Sequence, residues 1–193
     1  MIRGDDPFIP DMREGKRGLF SILRGSRGNW KVLSGRWEIG RDANGGIVFR
    51  EPLSKGGESM IVFGPSDWDA YSMRIRFRLL TESIRPPEGG VIVYFHFRDV
   101  ENFYSFHFCL PKQRVEFVKR YGGVWTIGEG EQHDFRIQRD YRVNIRTGSG
   151  LHICRVDGRD ILTVEDTDIS GGCAGIGAKY CGAELGDISV RPF

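Results

Sequence analysis

Tyr94, His96, His107 and Glu116 bring four proton-handling side chains together in 23 positions of the chain, with Arg98 among them. Abstraction of a proton beside an electron-withdrawing group needs a base that titrates near neutral pH, an acid, and a cation where negative charge develops. Histidine, tyrosine and arginine are suited to those tasks. Tyr94, His96, His107 and Glu116 are therefore the candidate catalytic residues. Arg98, Ser105, Arg120 and Trp125 are candidate ligand contacts, through hydrogen bonds, charge and ring stacking. A histidine facing a glutamate is also half of a metal site, but two further ligands would be needed.

These residues need a scaffold that turns them the same way. Residues 89–98 and 103–109 read as two strands around the polar connection Asp99-Val100-Glu101-Asn102. Alternation places Val91, Val93, Phe95 and Phe97 on one face, continued by Tyr104, Phe106 and Phe108. Ile92, Tyr94, His96 and Arg98 take the other. A four-residue loop would set Arg98 opposite Phe103, His96 opposite Ser105 and Tyr94 opposite His107. A third strand, Arg114 to Arg120, pairs through Cys109 opposite Arg114, which puts His107 opposite Glu116 and Ser105 opposite Val118. The expected product is a polar surface across three strands, and a one-residue slip would dissolve it. Residues 121–134, rich in glycine and acidic side chains, read as a loop suited to ligand contact.

The rest of the chain is equally strand-like. Tyr71, Met73, Ile75, Phe77 and Leu79 alternate with Ser72, Arg74, Arg76 and Arg78, the pattern of a strand with one wet face. Residues 140–146 and 151–156 form a hairpin around Gly148-Ser149-Gly150, and Asp157-Gly158 turns into the next strand. Twenty-seven glycines and eight prolines supply turns, and no helix-period segment of useful length appears. The expected class is all-β, a two-sheet antiparallel sandwich over residues 29–193. Residues 1–28, with Pro7, Pro10 and several basic side chains, read as an irregular basic arm docking through Leu19 to Leu23.

Composition narrows the function. A chain of 193 residues with 39% apolar and 28% charged residues can bury a large core. A net charge of +2 argues against a nucleic-acid partner. No run reaches the roughly 18 apolar residues of a membrane span. The N-terminus lacks a secretory pattern, so Met1 is either a native start or one that follows signal removal. Cys109, Cys154, Cys173 and Cys181 have no CxxC spacing and are read as four free thiols, without structural zinc.

Taken in order, Trp68-Asp69-x-Tyr71-x-Met73-x-Ile75-x-Phe77-Arg78, Phe97-Arg98-Asp99-x-x-Asn102-Phe103-Tyr104, Tyr141-Arg142-Val143-Asn144-Ile145, Val156-Asp157-Gly158, Gly172-x-x-Gly175-Ile176-Gly177 and Gly186-Asp187-Ile188-Ser189-Val190 resemble the concanavalin A-like jelly roll. The resemblance is to its laminin-G-like branch and spans about residues 30 to 192. A more distant likeness is to a bacterial branch classed as 3-keto-disaccharide hydrolases. Such a fold implies glycan binding, glycan cleavage or adhesion. The Glu-x-Asp-x-x-Glu strand of glycoside hydrolase family 16 has no counterpart here, so a retaining glucanase of that type is not expected.

Three readings follow for the surface built from residues 91–120. It is an ordinary wet sheet face, a glycan-binding face, or the site of a hydrolase or lyase. The resemblance implies carbohydrate as the partner, with no required cofactor, and leaves calcium and self-association into a homo-oligomer open. The alternative is a non-catalytic interaction domain assembled through the basic arm.

Overall fold

The computed structural model describes residues 30–52, 57–85 and 87–193. The basic arm expected over residues 1–28, with its island Leu19 to Leu23, lies outside the described residues. The remainder forms two seven-stranded sheets, with no helix among the described residues. In spatial order the first sheet contains β1 (Trp30–Ser34), β4 (Glu58–Phe63), β13 (Cys173–Lys179), β6 (Gly90–Asp99), β7 (Asn102–Cys109), β8 (Arg114–Tyr121) and β9 (Val124–Gln132). The second contains β12 (Arg159–Glu165), β11 (Leu151–Val156), β10 (Asp140–Gly148), β5 (Tyr71–Leu79), β14 (Ala183–Pro192), β3 (Ile47–Glu51) and β2 (Glu38–Arg41). Every pairing is antiparallel.

Alternation explains the core between the sheets. Val91, Val93, Phe95, Tyr104, Phe106 and Phe108 meet Met73, Ile75, Phe77, Tyr141, Val143 and Ile145 in one buried cluster. Trp30 closes one margin, stacked on Phe49 and Phe63 at 4.7 and 4.2 Å. Hairpin chemistry is as expected where both turn residues have positive φ. Asp157 and Gly158 do so at 50° and 82°, and Ser149 and Gly150 at 52° and 76°.

The central hairpin departs from simple alternation. Asp99 pairs with Asn102, so the turn is two residues long, and the Asp99 carboxylate accepts from the Glu101 amide at 2.7 Å. Further along, Tyr94 faces Ser105 and Ile92 faces His107, not Tyr94 facing His107 as the four-residue loop requires. Between the two registers, His96, Phe97 and Arg98 stand against Phe103 alone. His96 adopts a left-handed φ of 46°, which reverses the facing of the strand. Its ring enters the sandwich, while Phe97 moves to the outer face beside Tyr94 and Phe103. Gly172 makes this approach feasible, because a β-carbon there would overlap the His96 backbone.

Two other expectations have definite outcomes. The β7–β8 register is as read, with Cys109 on Arg114, His107 on Glu116 and Ser105 on Val118. The segment read as a loop over 121–134 is largely the edge strand β9. An edge strand packs little, so glycine and acidic residues are tolerated where an interior strand would exclude them.

Candidate functional site

The predicted site residues fall into three separate environments. His96 belongs to the interior. Its Nδ1 lies 3.0 Å from the Ile169 carbonyl, and its Nε2 lies 2.8 Å from the Asp69 carbonyl and 3.1 Å from Thr147 Oγ1. Thr147 Oγ1 is 2.8 Å from His152 Nδ1, whose Nε2 lies 3.1 Å from the Asp166 carbonyl. Carbonyls only accept, so His152 donates from Nε2, Thr147 donates to His152, and His96 donates from Nε2. His96 Nδ1 then meets a second acceptor, which only the imidazolium could satisfy. Burial opposes that charge and holds the His96 pKa below its ordinary value, despite the backbone carbonyls that favour it. The chain of bonds ties the segment from Asp166 to Gly172 to the end of the sandwich. Tyr104 reinforces it by donating to Asp166 and accepting from the Ile169 amide at 2.8 Å.

Thr147, His152 and Asp166 were not singled out from sequence. Alternation alone could have found His152, since it shares the face of Cys154 and Val156 on β11.

Tyr94, Ser105, His107 and Glu116 do share the outer face of the first sheet, but they make no acid–base pair. The centre of that face is apolar, with Met60, Val62, Ile92, Tyr94, Phe97 and Phe103 forming a second buried cluster. Tyr94 has no exposed surface and donates its hydroxyl to Glu58. Burial, then the Glu58 charge, push its pKa well above the phenol's ordinary value. Its ring lies across Gly177, where a β-carbon would come within 2.9 Å of Tyr94 Cε2. His107 faces Glu116 in register, yet the Glu116 carboxylate is engaged by Lys112 at 3.1 Å and lies 3.5 Å from Arg114. His107 Nε2 is buried without a partner, and desolvation drives the ring pKa down to about 3. It is a neutral base at physiological pH, and the carboxylate opposite is held by Lys112 and has no proton to give. Ser105 is fully buried and donates to the Val118 carbonyl.

The third environment is at the sheet margin. Arg120 and Trp125 face one another on β8 and β9, with the guanidinium 5.0 Å from the indole centroid. Phe103 meets the same indole edge-on at 5.6 Å. Trp125 nevertheless keeps 49% of its surface exposed. The Val100-Glu101 and Gly122-Gly123 turns lie side by side here. Gly123 donates its amide to the Glu101 carbonyl at 3.1 Å, and Gly122 to the Asn102 side chain at 3.0 Å. Arg98 is exposed beyond them, donating to the carbonyl and hydroxyl of Ser170. Among the described residues, no group of three or more histidine, cysteine or acidic side chains is arranged to hold a metal.

No protein-family model matches the sequence, and no curated protein matches it. Solved structures do match the fold. The carbohydrate binding module CBM66 from Bacillus subtilis superposes with a TM-score of 0.70 at 15% identity, over 84% of this chain and 94% of the module. The VIP36 exoplasmic/lumenal domain, bound to Ca2+ and Man3GlcNAc, gives 0.62 at 12% identity, over 85% of this chain and 84% of that one. The carbohydrate recognition domain of Emp47p gives 0.60 at 12% identity, over 88% of this chain and 91% of that one. With two seven-stranded antiparallel sheets face to face, the chain has the concanavalin A-like jelly-roll fold.

Proposed function

We propose that this protein recognises carbohydrate on the outer face of its first sheet, at the margin formed by Trp125, Arg120 and the turns at 99–102 and 121–124. The observation that carries this reading is Trp125, a large ring left half exposed while Phe103 and Arg120 fix its orientation. An aromatic ring held in place presents an apolar face to a sugar without losing side-chain freedom on binding. Arg120, Asp99 and Asn102 provide donors and acceptors beside it. Jelly-roll neighbours described as carbohydrate-binding domains are consistent with that use of the fold.

The reading is recognition and not turnover. Hydrolysis or elimination needs a proton donor and acceptor that reach one substrate, and His96, His107, Tyr94 and Glu116 lie in separate or occupied surroundings. Calcium belongs to the test because VIP36, a fold neighbour, is Ca2+-bound. A panel of immobilised glycans, screened with calcium and with chelator, should contain at least one ligand for the parent protein. Trp125→Ala should then weaken that binding by about tenfold with the fold intact. Unchanged affinity in the folded variant would remove the site from this margin. A parent that binds no glycan under either condition would overturn the reading.

A further inference from the structure

The outer face of the second sheet carries a different chemistry. Cross-strand register sets Arg155, Asn144, Arg74 and Ser189 side by side on four adjacent strands. The next row sets Arg142 directly against Arg76. An open cavity of about 290 Å³ lies among these six residues. Like charges opposed across a sheet repel, so such a grouping needs compensation. Arg76 has it, with Asp42 at 2.6 Å, Asp187 at 2.9 Å and Asp140 at 3.4 Å. Arg155 has it from Asp160. Arg74 and Arg142 do not: both are exposed, and neither forms an ion pair with a described residue. They are diagonal neighbours, with β-carbons about 7 Å apart, a spacing over which two guanidiniums can converge on one anion.

We propose that this cavity binds the oxyanion group of an acidic saccharide, carboxylate or sulfate, clamped between Arg74 and Arg142. Asn144 and Ser189 line the same cavity and offer hydrogen bonds to neighbouring hydroxyls. The surrounding carboxylates set the ligand class. Asp187, exposed at the rim, accepts hydroxyl protons and repels any second anionic group beside the clamped one, and the flanking Asp42, Asp140 and Asp160 interrupt any continuous basic track. A ligand with isolated anionic groups among hydroxyls fits that mosaic; a uniform polyphosphate does not. The site lies on the opposite sheet from Trp125 and stands without the reading made there.

The test is titration of the full chain at 150 mM salt with four probes of similar length: oligogalacturonate, sulfated dextran, neutral dextran and a single-stranded DNA oligonucleotide. At least one acidic saccharide should bind, and which one identifies the oxyanion. The double variant Arg74→Gln, Arg142→Gln should lose about tenfold or more. The charge-matched control Lys31→Gln, Arg36→Gln, two exposed cations elsewhere, should lose less than twofold. Arg74→Lys with Arg142→Lys should fall between, since lysine keeps the charge without the bidentate fork. Equal losses in test and control variants, full retention by the lysine pair, equal binding of neutral dextran or of DNA, or no acidic saccharide bound would each overturn the proposal. Trp125→Ala should leave this binding intact, so a failure at either face is distinguishable from a failure at the other.

Discussion

His107 illustrates how an unpaired polar group behaves when a sheet face closes around it. Its Nε2 is buried without a partner, and burial with nearby Lys179 and Lys112 holds the ring neutral, with a pKa of about 3. Its NMR ring signals should therefore not titrate between pH 5 and 8; a midpoint near 6.5 would refute this environment. The linkage has a definite sign. The unfolded chain binds a proton at His107 near pH 6.5 and the folded chain only near pH 3, so its contribution is complete above about 6.5 and is lost as pH falls towards 3. His152, with a pKa of about 4 through burial and then the His96 charge, acts in the same direction. The melting temperature should fall between pH 7 and pH 5, and His107→Leu should flatten that slope. Because His107 Nε2 makes no hydrogen bond to lose, the leucine variant should be neutral or stabilised by about 1 kcal/mol at pH 6, measured by denaturant titration.

Strand β6 decides which of the sequence-level expectations hold. Alternation was enough to place Val91, Val93 and Phe95 in the core, and the Cys109–Arg114 connection fixed the β7–β8 register. Neither signal marks a histidine with positive φ, so His96 and Phe97 exchange faces without warning in the composition. The apolar centre of the outer face was hidden for another reason. Its flanking strands, β4 and β13, come from distant parts of the chain, and only the topology sets Met60, Val62 and Gly177 beside Ile92 and Tyr94. The edge strand β9 was illegible because its pattern is one of exposure on both sides. His96→Leu leaves the Asp69 carbonyl without its donor, while Thr147 keeps its bond to His152, and should cost about 2–3 kcal/mol, or roughly 5–10 °C in melting temperature, with the glycan affinity of the folded fraction unchanged. Gly177→Ala should cost about 1–3 kcal/mol, since its methyl would press on Ser59 O at 2.6 Å and on the Tyr94 ring. A wild-type melting temperature in either variant would contradict the geometry.

At the scale of the molecule, the two outer faces are insulated by the core they enclose. No disulfide links the described strands, and all four cysteines are free. Cys109, Cys154 and Cys181 are buried, with thiol pKa values raised chiefly by burial, that of Cys181 to about 12. The sandwich is held by apolar packing, and a reductant should leave its melting temperature unchanged. Packed sheets lie about 10 Å apart, and charges separated by more than about 8 Å in salt interact weakly. Trp125 on β9 and the Arg74–Arg142 pair on β5 and β10 lie on different sheets with the packed core between them, and each should bind independently of the other. If both faces bind saccharide, a neutral glycan at Trp125 and an acidic one at Arg74 should bind simultaneously, each with the affinity it shows alone. Titrating one ligand in the presence of a saturating amount of the other measures this directly. Mutual exclusion would mean that one saccharide reaches around the β9–β12 margin to both faces, and the two sites would then be halves of a single binding surface.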